Sequence, residues 1–327
     1  MPESLNAVII GAGRVAPGLA RAINNASGAT LVGVADTDVA RAEKLGHDLG
    51  VRAVADYHEF LGDPNVHLAV IALPHWLHHS VAIDCCKAGK HVYVEKPLAN
   101  SVEEADEMIA AAEANKVRLF AAHTQRFFAS SILARKHLEE GKIGAPIFAT
   151  DTWYKDFGVA GRPAWFLDRS KGGGMWLMNG AHMVDRTCWI LGTEVAAVKA
   201  WIGNPIYNLK ADDSSIAYMQ LKNGVNFTLM HSGYKNGVGK CEVEILGTEG
   251  MLKVDTYGSR LWEAKGGEYA PIDVRKHDAF SYEMGKFIEA LQTSGELPVP
   301  ISWGRHIMQV LCACEESSRT GREVIID

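Results

Sequence analysis

A short apolar run, Leu5–Ile10, ends in Gly11-Ala12-Gly13-Arg14-Val15-Ala16 and passes into a stretch with Leu19, Ala20 and Ile23 on one helical face. Strand, glycine turn and helix in that order constrain the fold more than any other feature. Gly11 permits the tight turn, Gly13 has no side chain to block a pyrophosphate, and Ala16 is small enough to pack the helix on the strand. The helix N-terminus offers free N–H groups and a positive dipole end to phosphate. Thr30–Ala35 is a second strand, and it ends in Asp36, about 20 residues on. An acidic residue there suits the ribose hydroxyls of NAD and repels the extra phosphate of NADP. Arg14 and Arg41 are nearby cations that soften the discrimination, so NAD is expected and NADP stays open.

Further units follow. Val39–Leu49 reads as a helix, Val51–Val54 as a strand and Tyr57–Leu61 as a helix. His67–Leu73 is an apolar strand ending at Pro74, and Trp76–Ala88 is a helix closed by Gly89. His91–Val94 is another strand. Ser101-Val-Glu-Glu104 is a capping box, and Val117–Ala122 is the next strand. Strands alternating with helices predict a doubly wound parallel sheet. Beyond residue 123 the pattern changes. Ile147–Tyr154, Val195–Ile202, Ser214–Leu221, Val225–His231, Cys241–Leu246, Met251–Val254 and Arg260–Glu263 alternate, with Asn223-Gly224 a hairpin turn. The expectation is α/β, with a dinucleotide-binding domain over 1–123. An α+β domain with a large open, mainly antiparallel sheet should cover 124–327. Phe280–Leu291 and Arg305–Arg319 are its closing helices. One face of that sheet should pack helices such as Met183–Ile190, and the other should be covered by a second subunit.

Composition narrows the function. The 327 residues are 47% hydrophobic and 22% charged, with a net charge of -6, which argues against nucleic acid or an anionic membrane as partner. No apolar run reaches the roughly 18 residues of a membrane span. The six cysteines form no Cys-x-x-Cys pair. His75, His78 and His79 lack a carboxylate or cysteine at ligand spacing, so no metal is expected. A reduced, cytoplasmic protein is the expectation.

Two stretches carry chemistry. The strand His91–Val94 runs into Glu95-Lys96-Pro97, and a parallel strand delivers such residues to the carboxyl edge of its sheet, where ligands bind. A lysine facing a cleft there loses its proton more easily, and Pro97 biases it toward an extended backbone. Lys96 is therefore a candidate proton-transfer group, although a surface lysine before a strand-ending proline has the same signature. In the second stretch, Gly172-Gly173-Gly174 precede a helix on which Met178, His182 and Asp185 share a face at spacings of four and three. Three glycines turn tightly or approach a ligand, or are only a loop. His182 could equally be a packing residue, and Asp185 could orient it or cap a neighbouring helix.

Taken together, the glycine turn, Asp36, Leu73-Pro74 with His78, Glu95-Lys96-Pro97, and Gly172 through His182 to Asp185 resemble the Gfo/Idh/MocA oxidoreductases. Gly247-Thr248-Glu249-Gly250 extends the similarity late into the chain. The resemblance implies a Rossmann domain joined to an α+β domain, a bound nicotinamide nucleotide, and a homodimer or homotetramer built through the second domain's sheet. It implies sugar, cyclitol or related diol substrates. It also implies that Lys96 and His182 are the catalytic pair, and that Arg126 lies near the nicotinamide. The cofactor set is then Gly11, Gly13, Arg14, Val15, Ala16, Asp36, Leu73, Pro74, His78, Glu95, Lys96 and Arg126. Many members carry aspartate four residues before the histidine, and here that residue is Met178, with Asn179 beside it. Another acid (Asp156, Asp168 or Asp185) substitutes, or the pair works without one, or the usual chemistry is altered. Tyr154, Trp165, Met178 and Asn179 are the candidate substrate wall, with Trp153 and Trp176 possible additions. The expected reaction is hydride transfer between nicotinamide and a secondary alcohol or ketone. The alternatives are a dehydrogenase of an aromatic dihydrodiol, a redox-assisted elimination, or a nucleotide-bound sensor without turnover.

Overall fold

The computed structural model describes residues 4–326. They form two compact units, 4–122 with 278–305, and 123–277 with 306–326.

The first unit is built on a six-stranded parallel sheet: β1 (Leu5–Ile10), β2 (Ala29–Ala35), β3 (Arg52–Val54), β4 (Leu68–Ile71), β5 (His91–Val94) and β6 (Leu119–Ala121). The strand order is β3-β2-β1-β4-β5-β6, which reverses direction between β1 and β4. β4 is buried at every residue, as befits a strand covered on both faces by helices. The helices are α1 (Ala16–Asn25), α2 (Val39–Leu49), α3 (His58–Leu61), α4 (His78–Lys87) and α5 (Val102–Ala114). Asp38 caps α2 through the Arg41 N–H, and Gly50 closes it in the left-handed region. Ser101 accepts from the Glu104 N–H as the capping box predicts, while the Glu104 carboxylate reaches the Asn100 N–H. The segment Asp278–Arg305, read from sequence as part of the second domain, folds with this unit. Its Glu283 accepts a hydrogen bond from the Tyr93 hydroxyl at 2.8 Å, and the Phe287 ring lies 4.8 Å from Phe120.

The second unit is built on a nine-stranded mixed sheet: β7 (Pro146–Tyr154), β8 (Val195–Gly203), β9 (Ser214–Leu221), β10 (Asn226–Ser232), β11 (Lys240–Gly247), β12 (Met251–Asp255), β13 (Arg260–Lys265), β14 (Glu268–Ile272) and β15 (Val324–Ile325). The order is β14-β13-β12-β11-β7-β10-β9-β8-β15. β7 and β10 pair in parallel, and the other neighbours are antiparallel. The Asn223-Gly224 turn links β9 to β10, with Gly224 at φ 85°. β14 is an addition to the sequence reading. It is an exposed edge strand containing Pro271, with no apolar alternation to reveal it. Residues of one phase, such as Phe227, Leu229, Val243 and Ile245, are buried, and α6 (Ala129–Glu139) and α7 (Ala181–Leu191) belong to the same unit. The opposite phase leaves Phe148, Ile216, Tyr218 and Met230 exposed. Among the described residues no helix is long and apolar enough to cross a membrane.

The buried phase of β7 carries a charge, Asp151, between Ala149 and Trp153. Arg186 of α7 meets it with both Nε, at 2.8 Å, and Nη2. The Thr187 hydroxyl donates to the same carboxylate at 2.7 Å, and the remaining Arg186 Nη1 donates to Gln125 Oε1 at 2.8 Å. Neither charge has any exposed side-chain surface. Removing one partner strands the other in a medium of low polarity, at a cost of about 3–5 kcal/mol. Asp151→Ala should therefore lower the denaturant stability of the second unit by about 3–5 kcal/mol. A change under about 1 kcal/mol in urea unfolding would show that the pair does not hold α7 to the sheet.

Candidate active site

In the first unit, the register pairs Ile10 with Ile71 and Ile71 with Val94, so the residues that follow them emerge at one level. Gly11 sits at φ 106°, and a Cβ there would lie 2.5 Å from the Ala72 carbonyl oxygen. Gly13 is different, because its Cβ position is open but for the same oxygen at 4.0 Å, which leaves room for an approaching ligand. Asp36 Oδ2 accepts the Ala12 N–H at 2.8 Å, and Oδ1 accepts the Asp38 N–H at 2.8 Å. Arg41 Nη2 lies 3.4 Å from Asp36, while its Nε binds Asp38 at 2.8 Å. Asp36 thus ties down the glycine turn and keeps lone pairs for a further donor. Arg14 is exposed ahead of α1, Val15 is half-buried and Ala16 is buried.

The loops after β4 and β5 are pinned by His78. Its Nδ1 lies 2.9 Å from the Pro97 carbonyl oxygen and its Nε2 lies 3.0 Å from that of Leu73. A neutral ring donates to only one of these two carbonyls, through whichever nitrogen carries the proton. A charged ring could donate to both carbonyls, but burial dominates and brings the imidazole down to about 4. Lys96 is buried, and the Lys96–Pro97 peptide is cis. Burial pushes the neighbouring Glu95 carboxyl upward, with the Lys96 charge opposing. Glu95 Oε1 has no accessible surface and no hydrogen-bond partner among the described residues. A bound nucleotide could supply the missing donor. An open glycine approach, an acid after β2 and an unpartnered buried oxygen together fit a dinucleotide.

In the second unit, the helix after the three glycines departs from the 3.6-residue period. Trp176–Gly180 is a π turn, and α7 begins only at Ala181. The wider turn changes the phase, so Met178, His182 and Asp185 do not act as one polar face. Met178 and Trp165 pack against the apolar cluster Phe157, Phe166 and Met175. Asn179 turns toward β10, its Nδ2 lying 3.0 Å from His231 Nε2. His182 is half-buried with its ring 6.1 Å from Trp153. Asp185 is buried and pairs with Arg126, with His123 Nδ1 at 3.5 Å, so it positions that segment. Asp156 accepts the Gly158 N–H, and Asp168 accepts the Ser170 N–H and hydroxyl. Each of the three acids proposed to replace a residue-178 carboxylate therefore has a task of its own. Trp176 is wholly buried and donates its indole N–H to the Leu311 carbonyl, so it is packing and not wall.

Two family models match the chain: an oxidoreductase family with an NAD-binding Rossmann fold over residues 5–123, and a GFO/IDH/MocA C-terminal domain over residues 132–253. The chain belongs to the Gfo/Idh/MocA oxidoreductase family. It is 27% identical to the NAD(+)-dependent scyllo-inositol 2-dehydrogenase of Bacillus subtilis (strain 168), covering 100% of this chain and 98% of the relative. It is 28% identical to the 1,5-anhydro-D-fructose reductase of Ensifer adhaerens, over 75% of this chain and 74% of that one. Levoglucosan dehydrogenase, solved with NADH and L-sorbose, has the same fold at a TM-score of 0.91 and 21% identity, covering 99% of both chains. The first unit is thus the NAD-binding Rossmann domain of an oxidoreductase.

Three residues that shape the site were not picked out from the sequence. His231 falls in the buried phase of β10 after Phe227 and Leu229, and Asp151 in that of β7, so a polar residue in an apolar row was the available signal. Asp212 had no such signal. Its Oδ2 accepts the Trp176 N–H at 2.6 Å, so it caps the π turn. Burial raises this carboxyl to about 7, against the opposing hydrogen bond from Trp176. A folded-state value above the ordinary one means that the native protein holds a proton the unfolded chain releases. The stability contribution is then present below about pH 4 and lost as pH rises toward 7. Asp212→Asn keeps an acceptor and abolishes this loss. Relative to wild type, the variant should gain about 1.4 kcal/mol per pH unit between about pH 4 and 7, and nothing more above 7. Urea unfolding at pH 5, 6, 7 and 8 measures the difference, and a constant offset would exclude Asp212 as a titrating cap.

Proposed function

We infer that this oxidoreductase oxidises a secondary alcohol on a sugar, cyclitol or related polyol, with NAD as acceptor. The observation that carries the reading is the buried Lys96 at the carboxyl edge of the Rossmann sheet, next in sequence to the unpartnered Glu95 oxygen. Bound NAD supplies the hydride acceptor. Lys96 Nζ takes the proton of the substrate hydroxyl as the carbon gives up hydride and becomes a carbonyl. His182 orients that hydroxyl or relays its proton. Asp36 and Glu95 accept hydrogen bonds from the nucleotide, with Gly11, Gly13, Arg14, Val15, Ala16, Leu73 and Pro74 forming its bed. His78 acts by holding the loops, and Arg126 is kept in place by Asp185. Asn179 belongs to the substrate wall, whereas Tyr154 stands on the other phase of β7, beside Ile216 and Met230. An aromatic dihydrodiol is the weaker alternative, because Met178, the residue that suggested it, packs with Phe157 and Phe166.

Cys85, Cys86, Cys188, Cys241 and Cys314 are buried free thiols, which supports a reducing, cytoplasmic setting. The exposed Phe148, Ile216, Tyr218 and Met230 support a homo-oligomer in which a second copy covers that face. Tyr218→Glu with Ile216→Glu should shift the mass seen by light scattering to that of the monomer, and an unchanged mass would remove this surface from the assembly.

The enzymatic assignment is tested by following NADH absorbance with myo-inositol, scyllo-inositol, levoglucosan and 1,5-anhydro-D-glucitol. Lys96→Met should lower turnover of the best of them by about 10²–10⁴-fold while NADH affinity holds within a few-fold. Undiminished turnover in that variant would remove Lys96 from the reaction.

A further inference from the structure

Trp153 is the centre of a group of side chains on the buried phase of the second sheet, and it is itself 2% exposed. The buried Arg186 guanidinium lies 5.4 Å from its ring, the His231 ring 5.9 Å and the His182 ring 6.1 Å. The Tyr257 ring stands 5.4 Å away in an edge-on arrangement. The ladder between β7 and β10 runs on past Tyr154, because the Lys155 N–H donates to the Ser232 carbonyl at 3.1 Å. Lys155 therefore takes the phase of Asp151 and Trp153. Its Nζ stands 5.4 Å from the centre of the indole, as that phase requires. Lys155 and His182 are half-buried and Tyr257 is 59% exposed, so these three meet solvent although the indole between them does not.

The acids of this wall are committed within the protein. Asp151 meets Arg186, Asp185 meets Arg126, and Asp156 accepts the Gly158 N–H. Residue 178 is a methionine packed in an apolar cluster. The two Asp–Arg pairs cancel, so Lys155 brings a positive charge to the side of the sheet that carries His182. Burial holds the adjacent His231 neutral, and the Lys155 charge acts in the same direction. We propose that Lys155 binds the carboxylate of a sugar acid, so that the polyol oxidised at its secondary alcohol is an aldonate or a uronate. The proposal rests on the polyol reading above. The ammonium has three N–H donors for charge-assisted hydrogen bonds to the two carboxylate oxygens. One ammonium matches one carboxylate, whereas a phosphate dianion calls for a second cation, and Arg126 and Arg186 already face Asp185 and Asp151. A carboxylate at residue 178 would repel a sugar acid, and methionine does not. The Tyr257 ring offers an apolar surface to the C–H side of the ligand.

The test compares binding of charged and uncharged forms of one ligand. NADH-loaded wild type, Lys155→Met and Lys155→Arg are titrated calorimetrically with D-gluconate, D-galactonate, D-glucuronate and D-galacturonate, each beside its uncharged amide, and with D-glucose 6-phosphate. In wild type at least one acid should bind about tenfold or more tighter than its amide, and added salt should erode the difference. Lys155→Met should abolish that preference while amide affinity stays within a few-fold, which separates lost charge from lost packing. Lys155→Arg should keep most of the preference. If Lys155→Met fails to fold, as judged by thermal melting, Lys155→Gln takes its place. No acid preferred over its amide, a preference that survives in Lys155→Met, or tighter binding of the phosphate than of every acid overturns the proposal. A Lys155-dependent preference with no turnover of any acid or neutral polyol defeats the dehydrogenase reading and leaves the carboxylate site standing. Turnover of neutral polyols with no acid preferred does the reverse.

Discussion

Hydrogen-bonded register between parallel strands is the constraint from which the cofactor site follows. β1, β4 and β5 are neighbours, and Ile10, Ile71 and Val94 are aligned across them. The chain must therefore leave the sheet at Gly11, Ala72 and Glu95 side by side. Backbones this close leave no room for a Cβ at residue 11, where it would meet the Ala72 carbonyl. The glycine is thus demanded first by the neighbouring strand and only then by a nucleotide. The same alignment presents Glu95 and Lys96 at the edge where the strand order reverses, which is the edge that binds ligands in sheets of this kind.

The second unit depends on how polar residues are accommodated in apolar rows. Asp151 and Arg186 satisfy one another and gain Thr187 and Gln125 besides, so that pair is closed. The Asn179–His231–Ser215 group is open, because it satisfies one ring nitrogen and leaves two polar atoms unmet. An unmet buried polar group costs about 1–3 kcal/mol. One sheet thus carries a closed polar pair that fastens α7 and an open group beside it.

Much of this was legible in the sequence. The alternation from Leu5 to Ala122 fixed the class of the first sheet, because strands buried on both faces read as unbroken apolar runs. The strands of the second sheet were legible through their period of two, except for Glu268–Ile272, which is exposed and interrupted by Pro271. Asp278–Arg305 was misjudged because chain order carries no information on which core a late helix joins. In the site, Lys96, Asp36 and the glycine turn were readable from local chemistry. Met178 and Asn179 were not, since helical spacing assumes 3.6 residues per turn and Trp176–Gly180 uses a wider one. Partners distant in sequence, such as Asp212 for Trp176 and His231 for Asn179, follow only from the assembled sheet.

The three glycines show how such an error propagates and how it is resolved. In sequence, Gly172-Gly173-Gly174 resembles a loop that wraps a ligand. In the fold, a Cβ at Gly173 would run into the carbonyl oxygens of Trp165, Phe166 and Asp168, and one at Gly174 would occupy the place of the Asp212 carboxylate. The glycines therefore exist to bring Asp212 onto the Trp176 N–H. That cap starts the π turn, and the π turn sends Met178 into the apolar cluster and Asn179 to His231. The absence of a side chain at residue 174 thus reaches the candidate substrate wall through three successive contacts. A change there should act on ligand selection without the residue ever touching the ligand.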